Sequence, residues 1–100
     1  DLRNETNSAP QSLTLLNSTF VRQMSTKLAT RIKADSNEAL VRELYWEALS
    51  REPRPAELSY LADFLSRQAK LYEGDAKAAQ KAKVDLCQLL ICSNEFVYID

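Results

Sequence analysis

One hundred residues are one domain's worth of chain, and 45% hydrophobic with 27% charged residues is ordinary for a globular domain. Thirteen Lys+Arg against fourteen Asp+Glu leave a net charge of -1, without the basic excess of a nucleic-acid binder. The absence of histidine excludes a His-based triad, a His metal ligand and a His axial haem ligand within these residues.

One glycine and three prolines leave few places for tight turns, which points to long helices rather than a sandwich or barrel. No apolar run approaches the roughly 20 residues of a membrane span. The chain opens on Asp1 with no signal pattern and reads as an excised piece of a larger protein.

Residues 1–9, "DLRNETNSA", are polar and aperiodic, a flexible lead-in to a single helical domain over 10–100. Pro10 suits the first turn of a short helix through Leu13, Leu15 and Leu16. Asn17, Ser18 and Thr19 are cap-type residues that end it and start a second. That second helix carries a stripe of Phe20, Val21, Met24, Leu28 and Ile32 at three- and four-residue spacing. Arg31 and Lys33 suit the negative end of its dipole.

Asp35 with Glu38 has capping-box spacing, and Ser36 is the alternative cap of the third helix. The third helix presents Leu40, Val41, Leu44, Tyr45, Ala48 and Leu49 on one face. Trp46 falls outside that stripe, near Arg42, Glu43 and Glu47. Two readings stand for it: cover by the N-terminal segment or a neighbouring helix, or part of a docking surface.

In "ALSREPRPAEL", 48–58, Pro53 and Pro55 push Glu52 and Arg54 out of the helical region, so the third helix must stop by about Arg51. Pro55 begins a fourth helix with Glu57 in its first turn, and the whole stretch specifies a helix–turn–helix corner. Leu58, Leu61, Ala62, Leu65, Ala69 and Tyr72 line one side of the fourth helix. Tyr60, Phe64 and Leu71 form a second apolar stripe, sandwiched between neighbours or open to a partner peptide.

Gly74 ends that helix and Asp75 caps the fifth. Lys77, Lys81 and Lys83, with acidic Asp75 and Asp85, read as a solvated face. From Val84 the apolar Leu86, Cys87, Leu89, Leu90, Ile91 and Cys92 surround the fifth helix and place it at the centre of the bundle. The fold class is therefore all-α, a compact array of about five helices with short connections.

No phosphate loop, zinc pattern or nucleophile elbow is present, and the acidic residues are scattered. Cys87 and Cys92 lie five residues apart; on one helix their α-carbons differ by about 7.5 Å in rise, beyond disulfide reach. They read as small buried apolar residues. "SREPRPAELSYLADFL" has the cadence of a bacterial sigma-factor helix–turn–helix entry. Such a motif requires a tight turn and a short basic recognition helix, whereas here the helix continues through "LADFLSRQAKLYEG".

Three phrases in order carry a family resemblance: "LTLLNSTFV" (13–21), "ELYWEALSREPRPAELSYLADFLSRQ" (43–68) and "LLICSNEFVYID" (89–100). The chain resembles the C-terminal planctomycete-specific domain of unknown function found in large proteins that often also carry cytochrome-c-like domains. That family reads L-x-L-L-N-x-x-F-V, then L-Y-x-x-A-L-x-R-x-P-x-x-x-E-L-x-x-L-x-x-F-L, then L-L-x-S-N-E-F-x-Y-x-D. Glycine usually stands where this chain has Ser50, and threonine or serine where it has Arg54. Both departures bear on the corner's geometry.

The resemblance implies an exported parent, periplasmic or at the cell surface, and carries over no catalytic residue. The expected role is a non-catalytic structural or interaction module, with no cofactor and no metal in this segment. Its partners would be other domains of the parent chain or another protein, not nucleic acid. The candidate interaction surface is Arg42 with Trp46, together with Tyr60, Phe64 and Leu71 if that stripe is exposed. The rival from another class is a segment completing an enzyme or redox site formed by other domains of the parent.

Overall fold

The computed structural model describes residues 19–98, with side chains described through residue 93. The described residues form four α-helices and no strand: α1 (Thr19–Arg31), α2 (Asn37–Leu49), α3 (Pro55–Leu71) and α4 (Ala78–Tyr98). The lead-in at 1–9 and the expected helix from Pro10 through Leu16 lie outside the described residues.

Helix α4 is the hub, packing on α1, α2 and α3, while α2 and α3 also pack on each other. The reason is its composition. Ala82, Val84, Leu86, Cys87 and Leu90 are all buried, and together they face more than one direction. A helix with so broad an apolar surface is stable in water only with neighbours on several sides. Val41, Leu44 and Tyr45 from α2 and Leu61 and Leu65 from α3 complete the core around it. Leu89 is the exception in the fully apolar reading of α4, for it stands exposed.

Helix α1 meets α4 through small residues. Val21, Ser25 and Ala29, each four apart, are its buried positions, with Leu28 and Ile32 flanking them against the core. The expected stripe is thereby rotated, and this corrects two of its members: Phe20 is 66% and Met24 41% exposed. Spacing alone assigned them inward because they share the three-and-four pattern; the small Ser25 and Ala29 prevail because they let the two backbones approach. Within that seam the Ser25 hydroxyl has no hydrogen-bond partner.

The ends of the helices follow local chemistry. Ser36, not Asp35, caps α2: its Oγ accepts from the Ala39 N–H at 3.1 Å. At the C-terminal end of α1, the Lys33 ammonium donates to the Thr30 carbonyl at 3.1 Å, and Lys83 of α4 donates to the Ile32 carbonyl at 2.7 Å. Cations are what the negative end of a helix dipole favours.

Lys83 and Asp85 correct the reading of their segment as a solvated face. Lys83 is half-buried, and burial, followed by the neighbouring Lys33, lowers the pKa of its ammonium. Asp85, also half-buried, accepts from Gln68 Nε2 at 2.9 Å and from the Tyr72 hydroxyl at 2.7 Å. The Asp85 carboxylate in turn raises the pKa of the Tyr72 phenol. Lys81 remains outside, paired with Asp75 and 5.7 Å from the Tyr72 ring centroid.

Candidate functional site

Of the residues that the sequence singles out, Arg42 and Trp46 meet the corner between α2 and α3 through Glu52. Helix α2 ends when Ser50 turns left-handed (φ 58°, ψ 37°) and its N–H bonds the Trp46 carbonyl at 3.1 Å. Serine there does without the freedom glycine would bring, at a cost of about 1 kcal/mol. The prolines then hold the chain extended into Pro55, with Arg54 at φ -70° and ψ 157°.

A guanidinium cannot accept a hydrogen bond, so Arg54 caps nothing with its side chain. Glu57 supplies what is missing by reaching back to accept from the Arg54 N–H at 2.8 Å. The same carboxylate takes both terminal nitrogens of Arg51 at 3.1 Å each. Arg51, followed by the Arg54 N–H, holds the Glu57 pKa down at about 2. Arg51 also lies 5.0 Å from the centroid of the buried Tyr45 ring, whose pKa is raised first by burial and then by Glu57. One arginine thus ties the end of α2, the turn and the start of α3 together.

On the outer side of the corner, Glu52 folds back over α2. Its Oε2 accepts from Trp46 Nε1 at 2.7 Å, and its other oxygen lies 3.9 Å from Arg42 Nε. Arg42 and Trp46 are one helical turn apart, so a single carboxylate bridges both. Trp46 is nevertheless 51% exposed. Among the described residues Trp46 is oriented by a hydrogen bond and presents much of its indole to solvent; the reading in which the N-terminal segment covers it falls on residues outside those described.

The second candidate patch divides. Tyr60 and Leu71 are 60% and 76% exposed. Phe64 is half-buried and packs against the core, as the sandwiched reading of the stripe has it, while its two companions stay outside. Arg67 bonds Asp63 one turn earlier and stacks 5.5 Å from the Tyr60 ring centroid, which covers part of that patch from within α3. Of the five candidate residues, Arg42 and Trp46 share the Glu52 carboxylate, Tyr60 and Leu71 stand exposed on α3, and Phe64 packs on the core.

The thiols offer little chemistry. Cys87 is fully buried, and burial pushes its pKa up to about 12, so it does not reach the nucleophilic thiolate near neutral pH. The Cys92 thiol is also pushed up by burial. No group of three or more His, Cys, Asp and Glu side chains suited to a metal occurs among the described residues. No described helix is long and apolar enough to cross a membrane.

A feature that the sequence reading missed is a cleft of about 490 Å³ between α1, α2 and α4. Met24, Leu28, Ala48 and Ile91 give it apolar lining, and Lys27 and the Arg31–Glu47 ion pair stand beside them. Only the off-core position of Met24 would have signalled it, and that was hidden by its fit to the helical period.

These features define an all-helical domain, over the described residues, with a network of hydrogen bonds and ion pairs at the α2–α3 corner. The chain belongs to the family described as PSD1, Protein of unknown function (DUF1553), whose model matches residues 1–65. That match takes in α1, α2, the corner and the first part of α3; the phrase "LLICSNEFVYID" lies beyond it. No curated protein and no solved structure matches the chain.

Proposed function

We propose that this domain is a non-catalytic helical module that docks against other parts of a multidomain exported protein, with Trp46 and Arg42 at the centre of the contact. The planctomycete origin, the C-terminal position and the exported parent come from the resemblance of the three sequence phrases. The observation that carries the docking reading is the half-exposed indole of Trp46, held by Glu52.

Exposed tryptophan is costly to leave in water and valuable to bury. A Trp side chain offers on the order of 200 Å². Covering the exposed half would contribute about 2–3 kcal/mol to association at the usual coefficient for apolar area. The bond to Glu52 fixes the ring before the partner arrives, which lowers the ordering cost of binding. Arg42 beside it adds a planar donor of the kind enriched at interface centres.

What weighs against nucleic-acid reading is the unbroken 17-residue length of α3 and the engagement of its Arg67 with Asp63 and Tyr60.

Hydroxyl-radical footprinting tests the proposal by comparing this 100-residue chain with the natural polypeptide that contains it. Labelling of Trp46 is expected to fall several-fold in the larger protein, and Trp46→Ala with Arg42→Glu should release the contact. Equal labelling of Trp46 in the two would overturn the docking reading.

A further inference from the structure

Helix α1 and the residues just after it carry charge of one sign. Residues 19–33 hold Arg22, Lys27, Arg31 and Lys33 and no Asp or Glu, on a chain whose net charge is -1. The rest of the chain is therefore net acidic, and the cations here are segregated rather than interspersed. The first turn of α1 has no acidic residue, although the positive end of a helix dipole favours one. This surface is on a different helix from Trp46 and does not depend on how that residue functions.

Its exposed apolar side chains share a line with two of those cations. Phe20, Met24, Lys27 and Arg31 follow one another at spacings of four, three and four, which sets them along one side of the helix over about 16 Å. All four are exposed, whereas Val21, Ser25 and Ala29 form the buried face. The line is apolar in its first half and cationic in its second, and the cleft lined by Leu28, Ala48 and Ile91 opens beside it. Arg31 pairs with Glu47 at an exposed edge, an arrangement that contributes little and exchanges readily for another anion. Arg22 donates to the neutral Gln88 amide at 2.8 Å and Lys33 to a carbonyl, so neither charge is neutralised by those bonds.

We propose that this side of α1 is a docking surface for an anionic lipid bilayer, with Phe20 and Met24 entering the headgroup layer and Lys27 and Arg31 meeting lipid phosphates. Charge complementarity carries the choice of partner. A lipid surface presents phosphates continuously, so cations spread along a helix all find one, and hydrocarbon lies just beneath for protruding apolar side chains. A nucleic-acid backbone also offers phosphates but no apolar layer for Phe20. An acidic protein segment is the competing partner, and it would have to match the apolar-then-cationic order of the line. Two apolar side chains and a few cations make the binding weak and reversible.

Co-sedimentation of the 100-residue chain with vesicles tests this. Phosphatidylcholine vesicles containing about one third phosphatidylglycerol should bind at least about tenfold more protein than pure phosphatidylcholine. Raising the salt from about 0.1 to about 0.5 M should release most of it. Lys27→Glu reverses a charge at an exposed position and should cut the binding about tenfold. Phe20→Ser should cut it about threefold. Neither side chain belongs to the core, so both variants should keep the wild-type helical circular dichroism. Trp46→Ala should bind as wild type, which separates this surface from the Trp46 contact. Equal binding to neutral and anionic vesicles would overturn the proposal, as would anionic binding that Lys27→Glu leaves unchanged. Absence of vesicle binding would overturn it too, in favour of an acidic protein partner if polyglutamate retains the chain, and of nucleic acid if only duplex DNA does.

Discussion

The turn joining α2 to α3 and the turn joining α3 to α4 both stop one helix and start another, but from different materials. At the first, Ser50 takes the left-handed conformation, two prolines stiffen the chain, and Arg51 with Glu57 binds the two helices together. At the second, Gly74 takes the positive φ (95°) with open space around it, and Asp75 accepts from the Lys77 N–H at 2.8 Å. The first turn is held by exposed or partly exposed ions and the second by a half-buried polar knot of Gln68, Tyr72 and Asp85. Desolvation decides what each is worth. An ion pair near water gains little, whereas a carboxylate serving two donors and partly withdrawn from water is costlier to remove.

Asp85→Ala should therefore produce the largest effect. It removes the shared acceptor of the Gln68 amide and the Tyr72 hydroxyl. Hydrogen bonds to charged groups contribute about 1.5–3 kcal/mol, and partial access to water brings the expected loss to about 2 kcal/mol. Urea unfolding should show a lower midpoint with an unchanged slope. A loss no greater than that of a change at the first turn would break the contrast between the two.

Glu57→Gln tests the first turn and has a pH signature. The folded-state pKa of Glu57 is depressed to about 2, so its contribution is fully present above the ordinary carboxylate range and is lost as pH falls towards 2. Because the pair with Arg51 is screened by solvent, the cost at pH 7 should be about 1 kcal/mol, well below the linkage value of the shift. The stability gap between wild type and Glu57→Gln, followed by thermal unfolding, should close between about pH 5 and pH 2. A gap that stays constant across that window would mean that the capping geometry alone, and not the charge, holds the corner.

The same contrast explains what could be read from the residues. The first turn was legible because prolines act through covalent geometry: Pro53 and Pro55 restrict their own and their neighbours' backbone whatever the surroundings. Its electrostatics were not, since nothing in the spacing says that Arg51 will pass over Glu52 to reach Glu57. At the second turn the positive φ of Gly74 was legible for the same local reason, whereas Asp75, expected to cap α4, accepts from the Lys77 N–H ahead of the helix start at Ala78. The involvement of Lys83 and Asp85 was not, because Lys83 meets a carbonyl 51 residues away and Asp85 meets side chains 13 and 17 residues away. The core faces of α2 and α3 followed from their period, but α1 did not: Phe20 and Met24 fit the period as well as Val21 and Ala29 do. Choosing between them requires knowing how closely α4 approaches, which is a property of the assembled bundle. The corner residues Arg42 and Trp46 were recognisable as off-face, whereas the carboxylate that orients them came from the turn.

The smallest change makes one turn resemble the other. Ser50→Gly puts at the first turn the residue the second already uses, and the one that stands at this place in the resembling family. It relieves a left-handed serine, worth about 1 kcal/mol, but also loosens the unfolded chain, which returns part of that gain. The net expectation is a stabilisation of about 0.5 kcal/mol, a rise in midpoint of about 2–4 °C for a domain of this size. Differential scanning calorimetry resolves a shift of that size. If the melting temperature falls instead, the Ser50 conformation is not strained here: the ions at Glu52 and Glu57 would then be holding a backbone already content with serine, and the turn would depend on charge more than on its left-handed residue.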